Sequence, residues 1–244
     1  MKSNFEFLNR YWPALAQIGE TAENYLYSDP NACIFKIGLF AERLVQEILV
    51  FERITEPKVD NTHANRIRIL KRAGLLPHEI DNTLYMLRKT RNSAVHAGVD
   101  SVEEAKTLLS MTYNLAVWFM ETYGDWGYIA SDFVMPKKIA HPDFEALIAE
   151  QEKKIAELSK QLAAVTTNAS DKTQKERAKQ SEKVSSMMNW TEAQTRCLID
   201  EQLQKAGWEA DTKNLRFSKG TRPVKGINIA IAEWPTNSAF YKNG

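Results

Sequence analysis

Residues 32–53 read ACIFKIGLFAERLVQEILVFER, and apolar side chains recur in them at steps of three and four residues. This spacing places one continuous apolar stripe along an α-helix, which is typical of a helix packed in a protein core. The stripe consists of Ile34, Ile37, Phe40, Ala41, Leu44, Ile48 and Phe51. We therefore expect Ala32–Arg53 to be the central helix of a helical domain.

Three further helices are predicted after the central one. The first spans Asn65–Ala73 and ends at a glycine, which suits the left-handed position after a helix. Pro77 suits the first turn of the next helix, which we expect to end near Thr90. The last, Val102–Tyr123, places in the core Leu108, Leu109, Leu115, Val117, Trp118 and Phe119. No strand-like alternation occurs here, so residues 1–124 are predicted to form an all-α bundle.

The next sixty residues show no second bundle. Glycines, prolines and aromatics without helical spacing predict an extended connector over residues 125–142. Apolar residues then recur every three and four positions in Phe144, Ile148, Gln151, Ile155, Leu158, Leu162 and Val165. This heptad seam predicts a short coiled coil. A polar stretch follows from Thr166, so residues 143–186 are interpreted as a coiled coil and polar linker.

A second domain is predicted to begin at residue 187. Residues 190–236 read WTEAQTRCLIDEQLQKAGWEADTKNLRFSKGTRPVKGINIAIAEWPT. The pattern predicts an amphipathic helix with Cys197, Leu198, Leu203 and Ala206 toward a core, ended by Gly207. A basic loop follows, and then a half-buried strand in which Ile227, Ile229 and Ile231 alternate. The predicted fold is mainly α, with one helix and one strand of an α/β domain at residues 187–244.

This helix resembles the opening of the nuclease domain in the motor (R) subunit of type I restriction enzymes. In that family the helix has the form T-E-x-x-T-R-x-x-x-I-D-x-x-L-x-x-A-G-W. The matched positions here are Thr191, Glu192, Thr195, Arg196, Ile199, Asp200, Leu203, Ala206, Gly207 and Trp208. The resemblance implies that the chain corresponds to the N-terminal part of such a subunit, with an incomplete restriction-type nuclease domain at its end.

The resemblance also implies partners and cofactors. The intact family protein translocates on DNA with ATP and cleaves it with Mg²⁺, together with modification (methyltransferase) and specificity subunits. The catalytic Asp and Glu-x-Lys of the family and its ATPase motor lie further along than these 244 residues. We therefore expect DNA and the other subunits as partners, and no cofactor or metal bound by this part of the protein.

The string LRKTRNSAVHAG at residues 87–98 contains a second motif, R-N-x-x-x-H, formed by Arg91, Asn92 and His96. It resembles the motif of the HEPN superfamily of helical domains, some of which are metal-independent ribonucleases. The resemblance implies that His96 acts as general acid or base, Arg91 holds the scissile phosphate and Asn92 orients His96. The alternative is a structural role, in which Arg91 pairs with Glu42 while Asn92 and His96 cap a helix junction.

Residues of the second domain suggest DNA contacts. Cations recur every third residue in the basic loop, as Lys213, Arg216, Lys219, Arg222 and Lys225. Such a loop suits phosphate contacts, although a solvated surface loop gives the same pattern. The family match makes Glu192 a candidate near a nuclease metal site. Its alternative role is structural, in the first turn of the helix and paired with Arg196.

Composition limits the remaining possibilities. A net charge of +1 gives no overall nucleic-acid signal, so DNA contacts must come from a local patch. Cys33 and Cys197 lie far apart in different predicted domains, which favours reduced thiols and a cytoplasmic protein without a signal peptide. No G-x-x-x-x-G-K-[ST] loop is present. Three interpretations remain: a restriction-subunit region, a HEPN-type ribonuclease and a non-catalytic assembly module.

Overall fold

The computed structural model of this chain describes residues 2–56, 60–97, 101–138 and 173–235, together with residues 153, 154 and 157. The chain separates into two compact units, Met1–Asn189 and Trp190–Gly244. Helices dominate the described residues, and the strands among them are two short ones in the second unit. The fold is therefore mainly α, as the sequence predicts.

The first unit is a helical bundle. It is built from α1 (Pro13–Tyr25), α2 (Pro30–Phe51), α3 (His63–Arg72), α4 (His78–Ala97), α5 (Val102–Phe119) and α6 (Gln174–Met187). A 3-10 turn at Glu6–Arg10 precedes α1, and a π turn at Met120–Gly124 continues α5. Helix α2 contacts α1, α4 and α5, so the bundle is assembled around it.

Helix α2 begins where the sequence provides two start signals. Asp29 accepts a hydrogen bond from the backbone N–H of Ala32 at 2.9 Å, and Pro30 occupies the first turn, where an N–H is not needed. Every residue of the predicted apolar stripe is buried. The predicted central helix is confirmed, although it starts two residues earlier and ends at Phe51.

Helix α4 is longer than the sequence predicts, because it continues past Thr90 to Ala97. Residues 91–97 contain no glycine or proline, and the next helix-breaking residue is Gly98. The expected helix junction within the R-N-x-x-x-H motif is therefore wrong. Arg91, Asn92 and His96 lie instead in the last turns of one continuous helix.

The described part of the predicted connector, residues 125–138, forms no helix or strand. It packs on the bundle through specific hydrogen bonds. The Asn4 side chain donates to the carbonyl of Val134 at 2.8 Å and accepts from its N–H at 2.9 Å. The hydroxyl of Tyr113 donates to the carbonyl of Ser131. These bonds hold the connector against the N-terminal segment and α5.

Helix α6 occupies a stretch that the sequence assigns to a polar linker. Its Arg177 forms a two-pronged ion pair with Glu52, with Nε–Oε1 and Nη2–Oε2 distances of 2.7 and 3.0 Å. The two side chains are only 7% and 0% exposed. Ser181 accepts a hydrogen bond from the indole N–H of Trp118, and Ser185 donates to Glu79. The helix therefore belongs to the first unit, because its polar side chains find partners there.

The other part of the same prediction, the coiled coil, cannot be compared with the structure. The seam residues from Phe144 to Val165 lie outside the described residues. The coiled coil thus stays a prediction.

The second unit contains α7 (Glu192–Lys205) and two short strands, β1 (Glu209–Ala210) and β2 (Ile229–Ala230). The strands pair in parallel, with Glu209 opposite Ile229 and Ala210 opposite Ala230. The helix ends as predicted at Gly207, whose φ is +83°, and the N–H of Trp208 bonds back to the carbonyl of Leu203 at 2.9 Å.

Two predicted details of this unit differ from the structure. Leu198 is buried as expected, but Ala206 is exposed. The predicted strand is paired only at 229–230, with one further bridge at Ala232, and Ile227 is 53% exposed. The reason is local: Gly226, at a φ of +85°, forms a turn directly before Ile227 and so delays the extended backbone.

Replacing Arg177 by Ala should destabilise the first unit by about 3–5 kcal/mol, because Glu52 would stay buried without its counter-charge. Urea denaturation of the full chain, followed by tryptophan fluorescence, measures the change. The matched control is Lys2→Ala, which breaks the exposed Lys2–Glu6 pair and should leave the midpoint nearly unchanged. Equal losses in the two variants would contradict a special role for the buried pair.

Candidate functional site

The first candidate site lies where the last turns of α4 pack against α2. Arg91 donates from Nη1 to Oε2 of Glu42 at 2.8 Å, and both side chains are about a quarter exposed. The guanidinium also lies 4.9 Å from the centre of the Phe35 ring. A Cβ atom at Gly38 would overlap the Arg91 side chain, so this glycine makes room for it. Arg91 is thus held on three sides by α2.

The other oxygen of Glu42 also accepts a hydrogen bond. Arg66 of α3 donates from Nη1 to Oε1 of Glu42 at 3.2 Å, and from Nε to Glu56 at 3.0 Å. One carboxylate therefore links arginines from two helices to α2. The structural alternative for Arg91, a pair with Glu42, is present in the structure.

The rest of the R-N-x-x-x-H motif gives less information. Asn92 is exposed, and His96 lies in the last turn of α4, where the structure does not describe its side chain. The described residues therefore bring Arg91 to Glu42 and Arg66, and they do not test a site made with His96. The HEPN-like catalytic assignment of Arg91, Asn92 and His96 stays a prediction.

His63, at the start of α3, belongs to the same cluster and was not predicted. Both of its ring nitrogens are buried, and neither has a hydrogen-bond partner among the described residues. Burial lowers the pKa of His63 to about 4, while Glu42 opposes the shift and Arg88, Arg91 and Arg66 add to it. No sequence signal pointed to His63, because its neighbours come from α2 and α4 and are distant along the chain.

The second candidate site is the basic loop of the second unit. Arg216 is tied down, since its Nη1 donates to Glu233 at 3.0 Å and its Nε donates to the carbonyl of Thr212. Arg222 donates to the carbonyls of Phe217 and Thr221, and its guanidinium lies 3.9 Å from the centre of the Phe217 ring. These two arginines have structural partners within the second unit.

The three lysines of the loop, Lys213, Lys219 and Lys225, are all exposed. Lys219 ends the 3-10 turn Phe217–Lys219, and Gly220 follows it at a φ of +85°. Arg222 is exposed as well, so the structure places four of the five predicted DNA-binding cations at the surface, and Arg216 is paired with Glu233.

An unpredicted contact fixes where the loop begins. Asp200 of α7 accepts hydrogen bonds from the N–H and the hydroxyl of Thr212, both at 2.7 Å. Asp211 then accepts from the N–H groups of Lys213 and Asn214, which closes a turn. The sequence identifies Asp200 only as a matched position of the family helix. The structure shows that its carboxylate holds Thr212 at the start of the loop.

Glu192 lies in the first turn of α7 and is paired with Arg196, whose Nε is 3.1 Å from the Glu192 carboxylate. Thr191 caps the helix by accepting from the N–H of Gln194, and the Gln194 side chain accepts from the N–H of Thr191. This is the structural alternative for Glu192. Its approach to a nuclease metal site stays untested.

Two further features concern metal binding and membrane spanning. In the ranges that the structure describes, no group of three or more His, Cys, Asp or Glu residues is placed to hold a metal ion. Among these same residues, no helix is both long and apolar enough to span a membrane.

The pH dependence of stability tests the environment of His63. The unfolded chain protonates His63 near pH 6.5 but the folded protein only near pH 4, so stability should fall as pH decreases across this window. The part due to His63 is about 3 kcal/mol. His63→Phe should remove this part and retain stability at neutral pH, because it fills the space without unpaired nitrogens. Urea denaturation of both proteins across the window measures the difference, and parallel curves would contradict it.

Comparisons with known proteins agree with the division of the chain. The family model "Domain of unknown function (DUF4145)" matches residues 20–183, which is more than half of the chain and ends within α6. The model "Type I restriction enzyme EcoKI endonuclease subunit second domain" matches residues 209–243, which include the basic loop and both strands. No solved structure matches this chain.

A curated relative covers nearly the whole chain. The type I restriction enzyme EcoKI endonuclease subunit of Escherichia coli (strain K12) is 29% identical over 286 aligned residues, which include 96% of this chain. The chain spans about a quarter of that relative's length, 24%. The similarity confirms the restriction-subunit resemblance of the α7 helix. The chain therefore belongs to the DUF4145 family, and it is homologous to the N-terminal part of a type I restriction endonuclease (R) subunit.

Proposed function

We propose that this chain serves as the N-terminal region of a type I restriction endonuclease subunit, with the DUF4145 unit used for assembly and Trp190–Gly244 used for DNA contact. The observation that carries the DNA proposal is the arrangement of the basic loop. Its backbone is anchored by Asp200, and four of its cations, Lys213, Lys219, Arg222 and Lys225, are exposed.

This arrangement suits contacts to phosphates. Lysine ammonium groups on an anchored loop can approach successive phosphates, and each contact releases counterions from the DNA. Contacts of this kind position a protein on DNA and carry no sequence information. The loop would therefore contribute affinity that is independent of sequence.

The curated relative leads to a proposal for the complete subunit. The relative is named as an endonuclease subunit, so we propose that the complete protein cleaves DNA with Mg²⁺ and ATP, together with modification and specificity subunits. The described residues do not fit a magnesium site, since no three or more His, Cys, Asp or Glu residues among them are placed to hold a metal ion and Glu192 is paired with Arg196. Cleavage would depend on residues elsewhere in the subunit.

Replacing Lys213, Lys219 and Lys225 together by Ala should weaken binding of the full chain to duplex DNA. Fluorescence anisotropy with a labelled duplex, repeated over a series of salt concentrations, measures both affinity and salt dependence. The slope of log K against log salt should become shallower by up to about 0.9 for each lost phosphate contact.

The matched control replaces Lys175, Lys179 and Lys183, which are exposed on α6 in the first unit. This variant removes the same amount of charge from a site outside the loop. If the loop makes the phosphate contacts, the salt slope should stay unchanged. An equal effect in both triple variants would show a general charge effect and would refute contact through the loop.

A further inference from the structure

A cavity of about 510 Å³ opens between the N-terminal segment, α1, α5 and the connector of the first unit. Its lining includes the carboxylates of Glu6, Glu20, Glu23 and Asp132 and the ammonium groups of Lys2 and Lys137. Lys2 is paired with Glu6 at 3.3 Å, so the remaining lining has more negative than positive charge. None of the residues that line the cavity belongs to the basic loop.

Glu23 is the deepest of these carboxylates, with 8% of the residue exposed. It accepts hydrogen bonds from the backbone N–H and the side-chain amide of Asn4, the residue that also holds Val134 of the connector. In the described part of the chain, neither Glu23 nor Glu20 forms an ion pair with Lys or Arg. Burial, with a smaller contribution from Glu20, raises the pKa of Glu23. A buried carboxylate held in place in this way would be stabilised by an incoming cation.

The walls beside the carboxylates are aromatic. The rings of Phe7 and Tyr128 are stacked with centres 5.1 Å apart, and Tyr113 meets Phe7 edge-on at 6.0 Å. All three residues line the cavity. Aromatic rings next to carboxylates favour a cation that has an apolar or planar body, since the ring faces attract positive charge.

Exposed apolar residues lie on the connector beside the cavity. Ile129 is 89% exposed, and Val134 and Met135 are 53% and 37% exposed. These residues lie on the connector next to the lining residues Tyr128 and Pro136. A small cationic metabolite would leave these side chains in water, whereas a polypeptide could cover them. Interfaces commonly combine a deep anchor pocket with surrounding apolar contacts.

We propose that this cavity docks a segment of a partner protein that inserts one arginine or lysine side chain between the carboxylates and the aromatic rings. Apolar residues next to that basic side chain cover Ile129, Val134 and Met135. The carboxylates neutralise the inserted charge, and the aromatic walls pack against its apolar stem.

Calorimetric titration of the full chain with two tripeptides tests the proposal. The probes are acetyl-Leu-Arg-Leu-amide and the same peptide with citrulline, a neutral analogue of arginine with nearly the same shape. The arginine peptide should bind about tenfold more tightly or better, because a charge-assisted contact is lost in the citrulline peptide. Its affinity should also fall with added salt. Equal affinity of the two peptides would overturn the proposal.

Two substitutions locate the site. Glu20→Gln keeps an acceptor for Gln17, which donates to Glu20 at 3.1 Å, but removes one of the carboxylate charges, so it should reduce the preference for arginine. Glu182→Gln removes an exposed charge on α6, outside the cavity, and should preserve the preference. A loss of preference in both variants would overturn this location.

The source of the cation is tested separately. Guanidinium chloride should bind far more weakly than the arginine tripeptide, and Val134→Ser should weaken both peptides without changing their ratio. Guanidinium binding as tight as that of the tripeptide would indicate a small free cation and would refute a partner segment. The triple lysine variant of the basic loop should bind the tripeptide normally, so failure of the DNA proposal would leave this inference intact.

Discussion

The attachment of α6 to the first unit depends on one buried ion pair, Glu52 with Arg177. The two residues are 125 positions apart, and their two hydrogen bonds join the end of α2 to the first turn of α6. Helix α6 has little apolar surface to bury, with Val184 as its buried hydrophobic residue. Its attachment therefore relies on directed polar contacts, which include those of Ser181 with Trp118 and of Ser185 with Glu79. The family match that ends at residue 183 coincides with this polar attachment.

A second polar centre joins α2, α3 and α4. Glu42 bridges Arg66 and Arg91, and His63 lies nearby as a neutral ring without a hydrogen-bond partner in the described residues. The same arginine can serve as a structural ion-pair member or as a phosphate ligand, and motif spacing does not distinguish these roles. In the structure the Arg91 guanidinium is paired with Glu42, and the catalytic assignment that includes His96 stays a prediction.

Local sequence patterns predicted those helices and helix ends that depend on residues close together in the sequence. The stripe from Ile34 to Phe51 identified α2, since burying an apolar face requires helical spacing, and the glycine after α7 identified its end. The position of α6 could not be predicted, because its polar residues resemble a solvated linker until Glu52 is placed next to them. The same holds for the candidate sites. The pairing of Glu192 with Arg196 follows from helix geometry, but the contact of Asp200 with Thr212 and the cavity around Glu23 require the folded chain.

The closeness of α6 and α7 along the chain has a mechanical consequence. Only residues 188–191 separate the two helices, so tension applied to the second unit is transmitted directly to the C-terminal end of α6. Such tension would first strain the bond of Ser185 to Glu79 and then that of Ser181 to Trp118, one turn after another. The pair of Arg177 with Glu52 lies at the far end of the helix and would yield last. Helix α6 would therefore yield in steps, from its C-terminal end towards its first turn.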